Sequence, residues 1–160
     1  MSSPITIAPA TPEDVPTILS FIRELAEYEK LLDRVSATEA SLRRDLFGPR
    51  PYAEVLIGRL VGRPVGYALF FHSYSTFLAK PGIYLEDVYV TPAARGRGVG
   101  KALLREVARA ARDRDCGRVE WSVLDWNKPS IDFYLSLGAV PLDEWTMYRM
   151  DENAIARLAE

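Results

Sequence analysis

The spacing of apolar positions changes several times along the chain, and each change predicts an element. Ile5-Thr-Ile-Ala8 alternates apolar and polar and predicts a short strand. Thr11-Pro-Glu-Asp14 then predicts a helix start: Thr11 can cap free amides, Pro12 suits the first turn, and Asp14 stands at capping-box spacing. Val15, Ile18, Ile22, Leu25 and Ala26 recur at steps of three and four, so a helix of roughly 15 residues turns one face inward. A second helix is predicted over Thr38–Phe47, stopped by Gly48-Pro49. Glu54–Leu60 and Pro64–Ser73 read as strands joined at Val61-Gly62-Arg63, and Gly82–Val90 reads as a third, closed by Thr91-Pro92.

From Gly98 the period becomes helical. Val99, Leu103, Val107 and Ala111 fall at steps of four with arginines on the other face, and Gly117 is predicted to end that helix. Arg118–Leu124 returns to strand. Asn127-Lys-Pro-Ser130 starts a further helix, whose Ile131, Tyr134, Leu135 and Leu137 precede a stop at Gly138. Ala139–Leu142 and Trp145–Met150 predict two last strands, followed by a short polar helix. The order as far as the first of these two strands, β-α-α-β-β-β-α-β-α-β, is a mixed α/β sheet of the α+β type. No linker and no repeat interrupts it, so residues 1–160 read as a single domain.

Composition narrows the class. With 48% hydrophobic and 26% charged residues in 160, the chain is long enough for one core and unlike disordered, collagenous or coiled-coil sequence. One cysteine, Cys116, and one histidine, His72, make neither an internal disulfide nor a zinc cluster, so no metal is expected. Met1-Ser-Ser-Pro-Ile-Thr-Ile lacks the basic and apolar segments of a secretory signal, and the longest apolar stretch, Val65–Phe71, falls short of the ~20 residues of a membrane span. A cytoplasmic address and no membrane partner follow as expectations. The net charge of −2 argues against generic nucleic-acid binding, yet it conceals an asymmetry. Residues 95–114 hold seven basic and two acidic side chains, a local +5, which leaves −7 for the remainder. One short segment is suited to an anion.

That segment opens with Arg95-Gly96-Arg97-Gly98-Val99-Gly100-Lys101 between a strand and a helix. Glycines allow positive φ and close approach to a ligand, and the helix start presents free amides to a phosphate or pyrophosphate. A P-loop is excluded, because Ala102 follows Lys101 where a Ser or Thr is needed. A dinucleotide fingerprint fits poorly, since its third glycine falls on Lys101. The remaining reading is the acyl-CoA loop of the GNAT N-acetyltransferases, whose Arg/Gln-x-x-Gly-x-Gly/Ala pattern Arg95–Gly100 resembles; a simple tight turn is the bland alternative. Leu25-Ala-Glu-Tyr-Glu29, Tyr84-Leu-Glu-Asp87 and Asp125-Trp-Asn-Lys-Pro-Ser-Ile-Asp-Phe-Tyr134 extend the resemblance over nearly all of the chain. Together they look like the diamine acetyltransferase group, which includes the spermidine/spermine and thialysine acetyltransferases.

The resemblance implies acetyl-CoA as co-substrate, a small amine as acceptor and a homodimer. It places the base at Glu86, which is otherwise a solvated strand carboxylate. It places the acid for the leaving thiolate at Tyr134, which is otherwise a core tyrosine. Backbone amides of Val88, Tyr89 and Val90 would bind the pantetheine arm and polarise the thioester carbonyl. Arg95, Arg97 and Lys101 would hold phosphate, and Asn127, Lys128, Pro129 and Ser130 the cofactor, although Asn127 is equally a helix cap. Arg105, Arg109, Arg112 and Arg114 read as a solvated face, Cys116 and His72 as structural or incidental, and Trp121 and Trp126 as packing residues. Acceptor contacts are implied at Tyr28, Glu29, Glu86, Asp87 and Trp145. The sequence departs from the polyamine pattern at Tyr74-Ser-Thr-Phe77, which lacks its aspartate and tryptophan and looks closer to the thialysine-type branch. A CoA-sensing module without catalysis and acetylation of a protein amine are the alternatives.

Overall fold

A computed structural model of the chain describes residues 3–160. Met1 and Ser2, the start of the stretch read above as lacking a secretory pattern, lie outside the described residues. Contacts divide the chain into two units, Met1–Ser122 and Val123–Glu160.

In the first unit, β1 (Ile5–Pro9) leads through a short 3-10 turn (Pro12–Asp14) into α1 (Val15–Tyr28). The Asp14 carboxylate accepts from Thr11 N at 2.8 Å, as the capping spacing predicts, and also holds Arg59 at 3.0 Å. α2 (Glu39–Phe47) follows, with Thr38 Oγ1 accepting from Ser41 N. Then come β2 (Glu54–Leu60), β3 (Arg63–Ser75), β4 (Lys80–Val90), α3 (Val99–Asp113) and the two-residue β5 (Val119–Glu120). The described strands form one sheet in the order β1-β2-β3-β4-β5, antiparallel except for the parallel β4–β5 pair. The β2–β3 turn places Val61 at φ 49° and Gly62 at φ 78°, the left-handed pair that suits the twist of a tight hairpin.

One face of the sheet carries α1 and α2: Ile18, Phe21 and Leu46 pack on Val55, Ile57, Tyr67 and Tyr89. The other face carries α3. Gly58 of β2 lets that helix settle closely, since a Cβ there would lie 3.0 Å from Val99 Cγ1 and 3.6 Å from Leu103 Cδ2. Val99, Leu103 and Val107 are buried, so the periodic stripe predicted from Gly98 onward faces the core. The same contact anchors the first turn of α3, and with it the glycine loop.

The last third of the chain is less regular than its pattern predicts. Of the expected strand Arg118–Leu124, Val119 and Glu120 alone pair, opposite Ile83 and Tyr84. α3 ends at Asp113 and not at Gly117: Asp115 turns the chain at φ 55°, and Gly117 N already donates to Pro81 O at 2.9 Å. In the second unit, α4 (Lys128–Ser136) begins where Asn127 predicts and stops before Gly138, which has φ 92°. Residues 139–150 form neither of the two expected strands. Pro141 lacks an amide donor, and Ala139 N and Trp145 N donate locally to Tyr134 O and Leu142 O, so the segment turns on itself without a ladder. The short terminal helix is present as α5 (Glu152–Leu158).

Candidate active site

β4 is interrupted at the residue predicted as the base. Leu69 lies opposite Asp87 and the next residue, Phe70, lies opposite Leu85, so Glu86 is the extra residue of a β-bulge. The bulge reverses the alternation of the strand. Before it, Ile83 and Leu85 are buried on the side of Phe70 and α3; beyond it, Tyr89 and Asp87 turn to the side of Tyr67 and α1. Glu86 itself is exposed.

The reversal brings Asp87 to the hydroxyl of Tyr67, which donates to its Oδ2 at 2.6 Å. Tyr67 has no solvent exposure, and its ring stacks on Phe21 at 5.7 Å with 15° between the planes. Burial pushes the Asp87 carboxyl above its ordinary value, while the Tyr67 hydrogen bond pulls it back. Glu29, at the C-terminal end of α1, is also raised, first by burial and then by the like charges of Asp87 and Glu86. The same three carboxylates, after burial, drive the Tyr67 phenol well above its usual value. The charges of Asp87 and Glu86 thus reach Glu29, and all three reach Tyr67, so the carboxylates share one region of negative potential where a bound cation would be favoured.

Arg95 borders this region. Its guanidinium lies 5.2 Å from the centre of the Tyr28 ring and 5.7 Å from that of Tyr89, and its Nε donates to Val90 O at 2.9 Å. The Tyr89 hydroxyl is raised by burial and by Glu24, and held down by Arg95. Beyond Tyr84 the β4 edge that faces β5 has no strand neighbour among the described residues, which leaves amides of the Val88–Val90 segment outside the ladder.

The glycine loop follows directly. Gly96 and Gly98 have φ of 77° and 90°, and a Cβ at Gly96 would meet nothing within 4 Å. Val99, Gly100 and Lys101 then supply the free amides of the first turn of α3, with the Arg97 and Lys101 side chains exposed. This donor set, two flexible cations over an open backbone and a helix start, fits an anionic diphosphate. Gly100 needs no positive φ; its added Cβ would lie an ordinary 3.7 Å from Val90 Cγ2.

In the second unit Asn127 Oδ1 accepts from Ser130 N, so it caps α4. Lys128 pairs with Asp132 at 3.1 Å. Tyr134 lies on the same helix, with its ring 5.9 Å from that of Phe133. Trp145 is 75% exposed in the irregular segment. Trp121 is half-buried, whereas Trp126 is half exposed, more than a packing residue requires.

The first unit thus gathers Tyr28, Glu29, Glu86, Asp87, Tyr89 and Arg95. Two features are absent from the motif reading. Tyr67 is a buried β3 tyrosine with no motif of its own, and only cross-strand register reveals its partner. Arg114 is exposed as expected, but it also has a partner that the motif reading did not supply: it holds Glu54 with two bonds of 2.7 and 2.9 Å and approaches His72 Nε2 at 3.3 Å. Arg109 pairs with Glu106 and Arg112 with Asp113, so these two remain on the helix surface as predicted.

Comparison with known proteins shows the family. Residues 20–139 match the acetyltransferase (GNAT) family. The chain is 42% identical to a thialysine N-epsilon-acetyltransferase of Bos taurus, with 97% of each chain covered. It is 33% identical to an L-ornithine N5-acetyltransferase of Arabidopsis thaliana, covering 91% of this chain and 84% of that one. An integron cassette protein from the mobile metagenome of V. cholerae shares the fold, with a TM-score of 0.83 at 23% identity over 99% of both chains.

Proposed function

Because the chain belongs to the acetyltransferase (GNAT) family and is an N-acetyltransferase, we propose that it moves an acetyl group from acetyl-CoA to a primary amine of a small cationic acceptor. The observation that carries this reading is the Glu86 bulge, which sets an exposed carboxylate next to Asp87 on a strand whose charge reaches Glu29. Lysine-like and ornithine-like acceptors are favoured over polyamines, in keeping with the relatives and with Tyr74-Ser-Thr-Phe77.

Acetyl-CoA supplies an activated thioester when bound. Arg97, Lys101 and the amides from Gly98 to Gly100 would hold its diphosphate, the amides of Val88–Val90 on the β4 edge away from β3 its pantetheine arm, and Asn127–Ser130 would add contacts that the resemblance implies. An alkylammonium near pKa ~10.4 must lose a proton before it can attack. Glu86 accepts that proton, directly or through water. Glu29 and Asp87 would hold a second positive group of the acceptor, with Tyr28 as a further contact; Trp145 is added only by the resemblance. Attack occurs within a ternary complex. The new carbon–nitrogen bond would replace the carbon–sulfur bond; Tyr134, the acid that the resemblance implies, would give its hydroxyl proton to the departing sulfur, and the second proton shed by the nitrogen as it becomes an amide would restore the phenol.

The family match runs across the boundary between the two units, which supports reading residues 1–160 as one acetyltransferase domain. The resemblance also supports a homodimer; a cytoplasmic address rests on the sequence alone. Among the described residues no helix is long and apolar enough to cross a membrane.

The test is CoA release with acetyl-CoA and a panel of thialysine, lysine, ornithine, putrescine and spermidine. Turnover is expected to be best with the amino acids. Absence of turnover with every amine, alongside intact acetyl-CoA binding, would favour a sensing module instead.

A further inference from the structure

We propose that Tyr67 is a positioning residue for the acceptor subsite: its core-held hydroxyl binds Asp87 Oδ2 and leaves Oδ1 as the oxygen that meets a cationic acceptor. This rests on the acceptor role assigned to Asp87 above.

The geometry is specific. Tyr67 lies opposite Tyr89 across the β3–β4 pair and reaches Asp87 on the diagonal, two residues back along β4. The Phe21 ring stacks on Tyr67 at 5.7 Å and contacts Tyr89 at 6.1 Å, so the phenol is clamped between α1 and the sheet. A buried hydroxyl must find a partner, and the bulge provides one. Without the extra residue Glu86, Asp87 would turn to the α3 side and the Tyr67 hydroxyl would face an apolar core. Bulge and phenol therefore match each other. Charge-assisted bonds of this length are strong and directional, so the carboxylate plane is held relative to the sheet, not left to rotate. The remaining carboxylates near Asp87 are Glu29 after α1 and Glu86 on its own strand, and neither can donate in ionised form.

Tyr67→Phe deletes the donor and keeps the ring that Phe21 packs on. Steady-state kinetics are compared for putrescine, which carries a second cation, and butylamine, which does not. The KM for putrescine is expected to rise about tenfold, while kcat, the KM for butylamine and the KM for acetyl-CoA stay within about twofold. A merely structural loss would move both amines together. Equal rises for both, or no change in either, overturn the positioning role while leaving the acceptor reading intact. Wild-type protein that acetylates no amine overturns both. Should Asp87, deprived of its donor, lower the melting point too far, the Tyr67→Phe/Asp87→Asn double variant removes the buried charge. It is expected to match Asp87→Asn within about twofold for putrescine, and a fully additive further rise refutes action through Asp87.

Discussion

Tyr67 and Asp87 are not cross-strand neighbours, yet they share a 2.6 Å hydrogen bond, because the β4 bulge at Glu86 turns Asp87 onto the face where Tyr67 is buried. A single inserted residue thereby sets two things at once. It exposes the carboxylate proposed as base and turns its half-buried neighbour against a phenol. The arrangement concentrates like charge, and its cost should be measurable.

Asp87 and Glu29 both hold their protons more tightly in the folded protein than in the unfolded chain, chiefly because of burial. For a carboxyl with a raised folded pKa, the stabilising contribution is present below the ordinary carboxyl range and lost as pH rises through the raised value. Asp87→Asn is therefore expected to raise the melting temperature at pH ~7 by about 2–4 °C for each ~1 kcal/mol relieved. The gain should shrink towards pH ~4, where the wild-type carboxyl regains its proton. Thermal melts across that range check the sign; a gain that grows on acidification would contradict it.

Removing the proposed acid and base should separate by kinetics. Tyr134→Phe is expected to lower kcat by about 10²-fold or more with little change in the KM for acetyl-CoA. Unchanged turnover would take Tyr134 out of the reaction. Glu86→Gln is expected to lower kcat/KM and abolish the acid limb of its pH profile, since that limb reports ionisation of the base. A profile that keeps its shape would assign proton removal to another group.

The glycines of the loop differ in what they need. Gly98 has φ 90°, where an L side chain is strained, so Gly98→Ala should cost about 1–2 kcal/mol and lower the melting point by several degrees. Gly100→Ala adds a methyl at ordinary contact distance from Val90 and should leave the melting point within about 1–2 °C. Equal losses in the two variants, read by calorimetry, would mean that crowding and not backbone conformation governs the loop.

Arg114 and Glu54 tie the end of α3 to β2 through two bonds, with side chains 37% and 47% exposed. Partial exposure limits such a pair to about 1 kcal/mol or less. Arg114 holds the Glu54 carboxyl below its ordinary value, so the contribution is present at neutral pH and lost as pH falls through the lowered value. Glu54→Gln is expected to lower the melting point by about 1–4 °C in dilute buffer, and ~1 M salt should close most of the gap. A salt-independent difference would point to packing over Phe70, whose ring centre lies 5.7 Å from the guanidinium.

Features written in local sequence were legible without coordinates. The limits of β2, the end of α2 at Phe47, the Asn127 cap of α4 and the stop before Gly138 all depend on one residue and its near neighbours along the chain. The glycine loop was legible for the same reason: its glycines, its cations and the helix it opens are contiguous. Strand pairing is not contiguous. Ala139–Leu142 and Trp145–Met150 carry apolar residues suited to strands, but a strand exists only when another backbone takes up its donors and acceptors. Arg114 shows the same limit from the other direction, since its helical spacing predicts solvent while its partner Glu54 lies 60 residues away.

What the sequence determined by itself was therefore the family, the identity of the candidate groups and the order of most elements, because each of these resides in short stretches of residues. What the tertiary structure alone decided was their disposition: the extra residue at Glu86, the turn of Asp87 towards Tyr67, and the gathering of Glu29, Glu86 and Asp87 into one negative region. The physical reason is register. A strand's side chains alternate with period two, so the shift of a single residue between neighbouring strands decides which face each one meets, and that shift is set by pairing between segments that no local pattern records.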